Sequence, residues 1–128
     1  MKVPMFVEIL VNPKKRTVIA KFTEKSFDLA GYMDKHKTRQ VPMIDMDTLK
    51  LDDLIGKAVA APGEVFDEHK GAAIAEARLM KKFHKRCQNA LSSHIQAVIQ
   101  CQNELLKFER EFGCKVHNCA EKISHLTL

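Results

Sequence analysis

Apolar and polar positions alternate with a period of two in two early segments. Residues 5–11 (Met-Phe-Val-Glu-Ile-Leu-Val) and 16–22 (Arg-Thr-Val-Ile-Ala-Lys-Phe) are rich in β-branched side chains and read as strands. Between them, Asn12-Pro13-Lys14-Lys15 supplies turn formers, with Pro setting φ where a type I turn needs it. The pattern predicts a hairpin. Ser26 is placed to cap a short helix over 27–36, with Leu29, Ala30, Met33 and His36 inward. Residues 39–46 resume alternation through Val41, Met43 and Met46, and Pro42 confines that strand to an edge. The segment 45–53 reads equally as a loop or a capped helical turn. Residues 57–61 predict a last short strand, stopped by Pro62-Gly63.

Beyond Asp67 the period changes to that of a helix. Asp67 has the place and chemistry of an N-cap, and Glu68 meets the positive end of the helix dipole. No Pro follows as far as Phe112, and Gly71 is the only Gly. One straight helix over 68–112 would be about 67 Å long at 1.5 Å per residue. That exceeds the width of a small globule, so a break near Ser92-Ser93 is expected. Steps of four and three from Ala73 trace a heptad-like seam: Ala77, Met80, His84, Cys87, Leu91, His94, Val98, Cys101, Leu105, Phe108 and Phe112. A second row, Leu79, Phe83, Ala90, Ile95, Ile99 and Leu106, widens the stripe to the breadth of a bundle or sheet-covering helix rather than a strict two-stranded coil. One small sheet cannot cover so long a seam, which predicts packing against a return helix or another subunit. Gly113 fits the residue that closes the helix. In the tail 114–128, Asn118 and Glu121 fit a capping box over a short final helix, with Ile123 and Leu126 buried.

These elements predict one α+β domain over 1–128. A small N-terminal antiparallel sheet with one short helix occupies 1–63, a long C-terminal helical region 64–113, and a tail 114–128. Hydrophobic residues make up 45% and charged residues 29%, which excludes a disordered chain. No apolar run approaches the roughly 20 residues that span a bilayer. Met1-Lys2-Val3-Pro4 leads into an alternating segment rather than the apolar core of a signal peptide. The expected location is cytoplasmic, with reduced cysteines. The net charge of +5 divides as +2 over 1–64 and +3 over 65–128. That mild balance permits an anionic ligand without demanding DNA.

The densest charge is Arg78, Lys81, Lys82, Lys85 and Arg86, in little more than two helical turns. Arg78, Lys82 and Arg86 (or Lys85) share a face, and their head groups suit phosphate oxygens. A solvated helix face is the plainer reading of the same residues. Cys114, His117, Cys119 and His125 are zinc-type donors, but their spacing is not that of a zinc finger. Incidental thiols are the plainer reading there, and zinc the alternative. Cys87 and Cys101 fall on the seam as small apolar residues. No Walker A loop, GxGxxG, GxSxG or HExxH occurs. The chain therefore reads as a non-enzyme, with no catalytic residue, cofactor or metal assigned.

The segment Gly56-Lys-Ala-Val-Ala-Ala-Pro62-Gly-Glu-Val-Phe66-Asp67-Glu-His-Lys-Gly71-Ala-Ala-Ile74-Ala75-Glu-Ala-Arg78 resembles a pattern in small phage-encoded proteins. Phe66 precedes the N-cap as a hydrophobic staple, and Gly71 with its alanines allows close helix–sheet approach. The hairpin and long helix around it resemble the layout of the Thoeris anti-defence sponge family. That resemblance implies a phage protein that forms dimers or larger oligomers. It also implies sequestration of a cyclic nucleotide immune signal, such as a cyclic ADP-ribose isomer, without cleavage. By chemistry and placement, the candidate ligand-binding residues are Arg78, Lys82, Phe83, Lys85, Arg86 and Arg110. Phe83 or Phe66 would lie against the base, and the long helix would join the subunits. Two alternatives remain: a small nucleic-acid-binding protein, and an interaction module that inhibits a host protein.

Overall fold

The computed structural model describes residues 6–36 and 46–126. Its elements are β1 (Val7–Asn12), β2 (Thr17–Phe22), β3 (Ser26–Phe27), α1 (Leu29–His36), β4 (Leu49–Lys50), β5 (Ile55–Val59) and α2 (Glu68–His125). The architecture is α+β: an antiparallel sheet of order β1-β2-β5, a two-stranded β3-β4 ribbon, one short helix and one very long helix.

The hairpin forms one residue later than the turn formers imply. Asn12 pairs with Thr17, so the loop is 13–16. The Arg16 amide donates to the Pro13 carbonyl (3.2 Å), and the Asn12 side chain accepts from the Lys15 amide (3.2 Å). Arg16 closes the loop in the left-handed region, at φ 51°. Ser26 is not a helix cap; it lies in β3, paired with Lys50. Asp28 takes that role, its Oδ1 accepting from the Gly31 amide (3.0 Å). A carboxylate there meets the helix dipole as well as the free amide. Leu29 is buried and His36 exposed. The strand expected over 39–46 falls mostly outside the described residues, and Met46 is not in a strand. The ambiguous segment 45–53 contains β4 and the fully buried Leu51.

The last strand of the sheet comes two residues earlier than its alternation implied, at Ile55–Val59. Pro62-Gly63 then turns the chain, with the Glu64 amide donating to the Ala61 carbonyl (3.0 Å) and Gly63 at φ 88°. Gly supplies the positive φ that the third position of a type II turn requires. Asp67 caps α2 as expected, its Oδ1 accepting from the His69 (3.0 Å) and Lys70 (3.2 Å) amides. Asp67→Ala is expected to cost about 1 kcal/mol, read by urea denaturation.

Helix α2 runs unbroken for 58 residues, about 87 Å at the standard rise. It does not break at Ser92-Ser93 or end at Gly113, and the tail to His125 is part of it. A helix-ending Gly adopts positive φ, which Gly113 does not. Helix formers on both sides outweigh the roughly 0.5–1 kcal/mol that an interior Gly costs.

The fully buried row is not the one traced from Ala73, of which Met80 and Cys87 pack only at the margin of the core; it includes Leu79 and Phe83 of the second row. Ala73, Ala77 and His84 are exposed, whereas Ala75, Leu79 and Phe83 are buried against Val18, Ala20, Phe22, Leu51, Leu54 and Ala58. These three residues, two steps of four apart, lie on one face of the helix. Phe83 meets Phe22 and Phe27 edge-on, with centroids 5.5 and 5.2 Å apart. From Cys101 to Leu126 every residue is exposed. The helix thus has a part that completes the head and a part that projects as a stalk.

Candidate cationic groove

The site grows from the open edge of the sheet. Among the described residues, β5 pairs with β2 on one side only. Gly56 and Ala58 face the core, and Ile55, Lys57 and Val59 are exposed. The Ala60 amide donates back to the Arg16 carbonyl (3.0 Å), so the even-numbered residues turn their backbone groups toward β2. The carbonyls of Ile55 and Lys57 therefore face the open edge.

Helix α2 runs antiparallel along that edge and satisfies it. Arg78 Nη1 donates to the Lys57 carbonyl (2.6 Å) and Lys82 Nζ to the Ile55 carbonyl (2.8 Å). Two strand residues advance about 6.6 Å and four helix residues about 6 Å, so the two repeats match. One turn further, Arg86 Nη1 donates to the Lys50 carbonyl (2.8 Å). Arg86 also grips Asp53 with both nitrogens, at 2.7 and 3.1 Å. That hydrogen bond holds the Asp53 carboxyl below its ordinary pKa and raises that of Arg86. Arg78 and Lys82 thus close a sheet edge that would otherwise pair with another chain, and Arg86 ties the helix to β4 and to Asp53.

Between this row and β5 lies an open groove of ≈ 710 Å³. Six cations line it: Lys57, Arg78, Lys81, Lys82, Lys85 and Arg86. Against them stands one carboxylate, Asp53, already paired with Arg86. Lys85 reaches only the Gln88 amide oxygen (3.2 Å), and the ammonium groups of Lys57 and Lys81 have no hydrogen-bonding or ionic partner among the described residues. Lys57, Lys81 and Lys85 are therefore the charges left to meet an incoming anion.

Of the six candidates from sequence, Arg78, Lys82, Lys85 and Arg86 converge here. Phe83 does not: it is 1% exposed, and its ring is enclosed by the core, leaving no face for a ligand. Arg110 lies 24 residues beyond Arg86 on the exposed stalk, about 36 Å along the axis. Lys57 and the Asp53 partner of Arg86 were missed. Alternation over β5 was the signal for Lys57; nothing local pointed Asp53 at Arg86, 33 residues away.

Among the described residues, no group of three His, Cys, Asp or Glu side chains is placed to hold a metal ion. The helix explains this for the tail, since Cys114 and Cys119 point about 140° apart at 100° per residue. His117 Nε2 lies instead 3.1 Å from Glu121. Cys87 packs against the core, and burial pushes its thiol pKa up, opposite to an activated nucleophile. No described helix is long and apolar enough to cross a membrane.

Fold and site together define a class: an α+β head whose sheet edge is closed by a cationic row on a stalk-forming helix. No protein-family model, curated protein or solved structure matches the chain.

Proposed function

We propose that this protein binds and holds a phosphate-bearing, nucleotide-derived ligand in the cationic groove without cleaving it. A cyclic nucleotide immune signal of the kind sequestered by Thoeris anti-defence sponges is the ligand in mind. The observation that carries the reading is the excess of six cations over one ion-paired carboxylate on one concave surface. Arg78, Lys82 and Arg86 are held in place by backbone carbonyls, so their charges are preorganised. Lys57, Lys81 and Lys85, none of them in an ion pair among the described residues, supply ammonium donors to phosphate oxygens. The groove volume lies within the range of small-molecule sites. Its lining is mostly ammonium and guanidinium groups, which hold a phosphate rather than attack it, and its one carboxylate, Asp53, is paired with Arg86.

Calorimetry of the full chain against cyclic ADP-ribose isomers and cyclic oligonucleotides tests this. Binding is expected, with the ligand recovered intact. Lys81→Ala combined with Lys85→Ala should weaken it at least tenfold, because charge-assisted hydrogen bonds contribute about 1.5–3 kcal/mol each. No heat with any of these ligands would remove the reading. Affinity for duplex DNA or RNA that falls steeply with salt, with none for small nucleotides, would replace it with nucleic-acid binding.

A further inference from the structure

We infer that the stalk of α2 is covered by copies of this same chain, packed as a helical bundle along Leu91 to Leu126. The inference is independent of the ligand reading, since the groove lies in the head.

Leu91, Val98, Leu105, Phe112, Cys119 and Leu126 recur every seven residues without exception. Ile95, Val116 and Ile123 stand four residues after members of that row, at the second core position of the heptad, which Gln102 and Glu109 occupy in the two heptads between. Ile99, Leu106 and Phe108 flank the row and broaden the stripe. The opposite face carries Asn103, Lys107, Arg110 and His117. This is the pattern of a buried helix, yet Leu105 is 70% and Phe112 61% exposed in the single chain. Among the described residues, the head reaches along α2 as far as a groove against Ala97.

The period identifies the occupant. On a straight helix a seven-residue row drifts by about 20° per heptad, or about 100° over these five. The row stays in one seam only if the helix supercoils around a partner of the same period. A second copy has that period over the same length. The area is also sufficient. Each large apolar side chain on the stalk can bury roughly 60–120 Å². Ile95, Ile99, Leu105, Leu106, Phe108, Phe112, Val116, Ile123 and Leu126 are all exposed. Together they offer roughly 500–1,100 Å² per chain, matching the roughly 800 Å² per partner of a stable interface.

Sedimentation equilibrium of the full chain at micromolar concentrations tests the inference. The expected mass is at least twice the 14.6 kDa of one chain. Leu105→Asp with Phe112→Asp should return it to the single-chain mass. Asn103→Asp with Lys107→Asp, on the polar face, should leave it assembled and controls for added charge. Both pairs lie outside the head, whose own unfolding transition should persist in each variant. A wild-type chain that sediments as a monomer overturns the inference. So does assembly that survives the paired substitution at 105 and 112.

Discussion

Gly56→Ala is expected to lower the stability of the head by about 3 kcal/mol, at the upper end of overpacking penalties. A Cβ at this position would sit 1.9 Å from the Ala75 carbonyl oxygen and 2.6 Å from the Leu79 amide nitrogen. Both are backbone atoms of α2, so no side-chain rotation relieves the clash. The helix would have to withdraw from β5. Withdrawal would loosen Ala75, Leu79 and Phe83 in the core. It would also pull Arg78 and Lys82 from the Lys57 and Ile55 carbonyls. Gly71→Ala is the milder comparison, because its Cβ would meet the Val18 side chain at 2.8 Å, which can shift. Urea denaturation followed by circular dichroism measures both. Equal and small losses would show that the helix does not pack on β5 through Gly56.

Phe83→Ala is expected to cost about 3–5 kcal/mol, the usual range for a buried aromatic truncated to a methyl group. Its ring joins three parts of the head: β2 through Phe22, β3 through Phe27, and α2 itself. The cavity left behind is enclosed by Leu51, Leu54 and Leu79 as well, so collapse is limited. Phe83→Leu retains most of the volume and should cost much less. The pair also tests the role of the ring. Phe83→Leu is expected to keep ligand affinity unchanged, as a packing residue would. A stable Phe83→Leu protein that lost affinity would place the ring in contact with the ligand after all.

Much of the architecture was legible along the chain. Alternation in the first strands, the turn at Pro62-Gly63 and the carboxylate of Asp67 are local signals with local consequences. A two-residue period forces side chains to opposite faces. A carboxylate beside free amides caps a helix wherever those amides fall. Gly113 misled because a glycine permits a helix end without compelling one. Ser26 misled because Asp28, two residues on, is the stronger cap. The basic cluster was visible as charge, but its division into structural and available members was not. Arg78 and Lys82 answer carbonyls on β5, 21 and 27 residues earlier, and Arg86 answers Asp53, 33 residues earlier.

The sequence by itself determined the first hairpin, the last strand to within two residues, the helix start at Asp67 and the breadth of its apolar stripe. Only the tertiary structure decided which row of that stripe is core. A wide stripe contains several rows with steps of three and four, and each satisfies the same periodicity. The choice fell to Ala75, Leu79 and Phe83 because Gly56 lets β5 approach the helix backbone there. The same contact laid Arg78 and Lys82 along the open sheet edge and left Lys57, Lys81 and Lys85 around the groove. A side chain's partner lies wherever the fold brings it, and periodicity along one element carries no information about the element opposite.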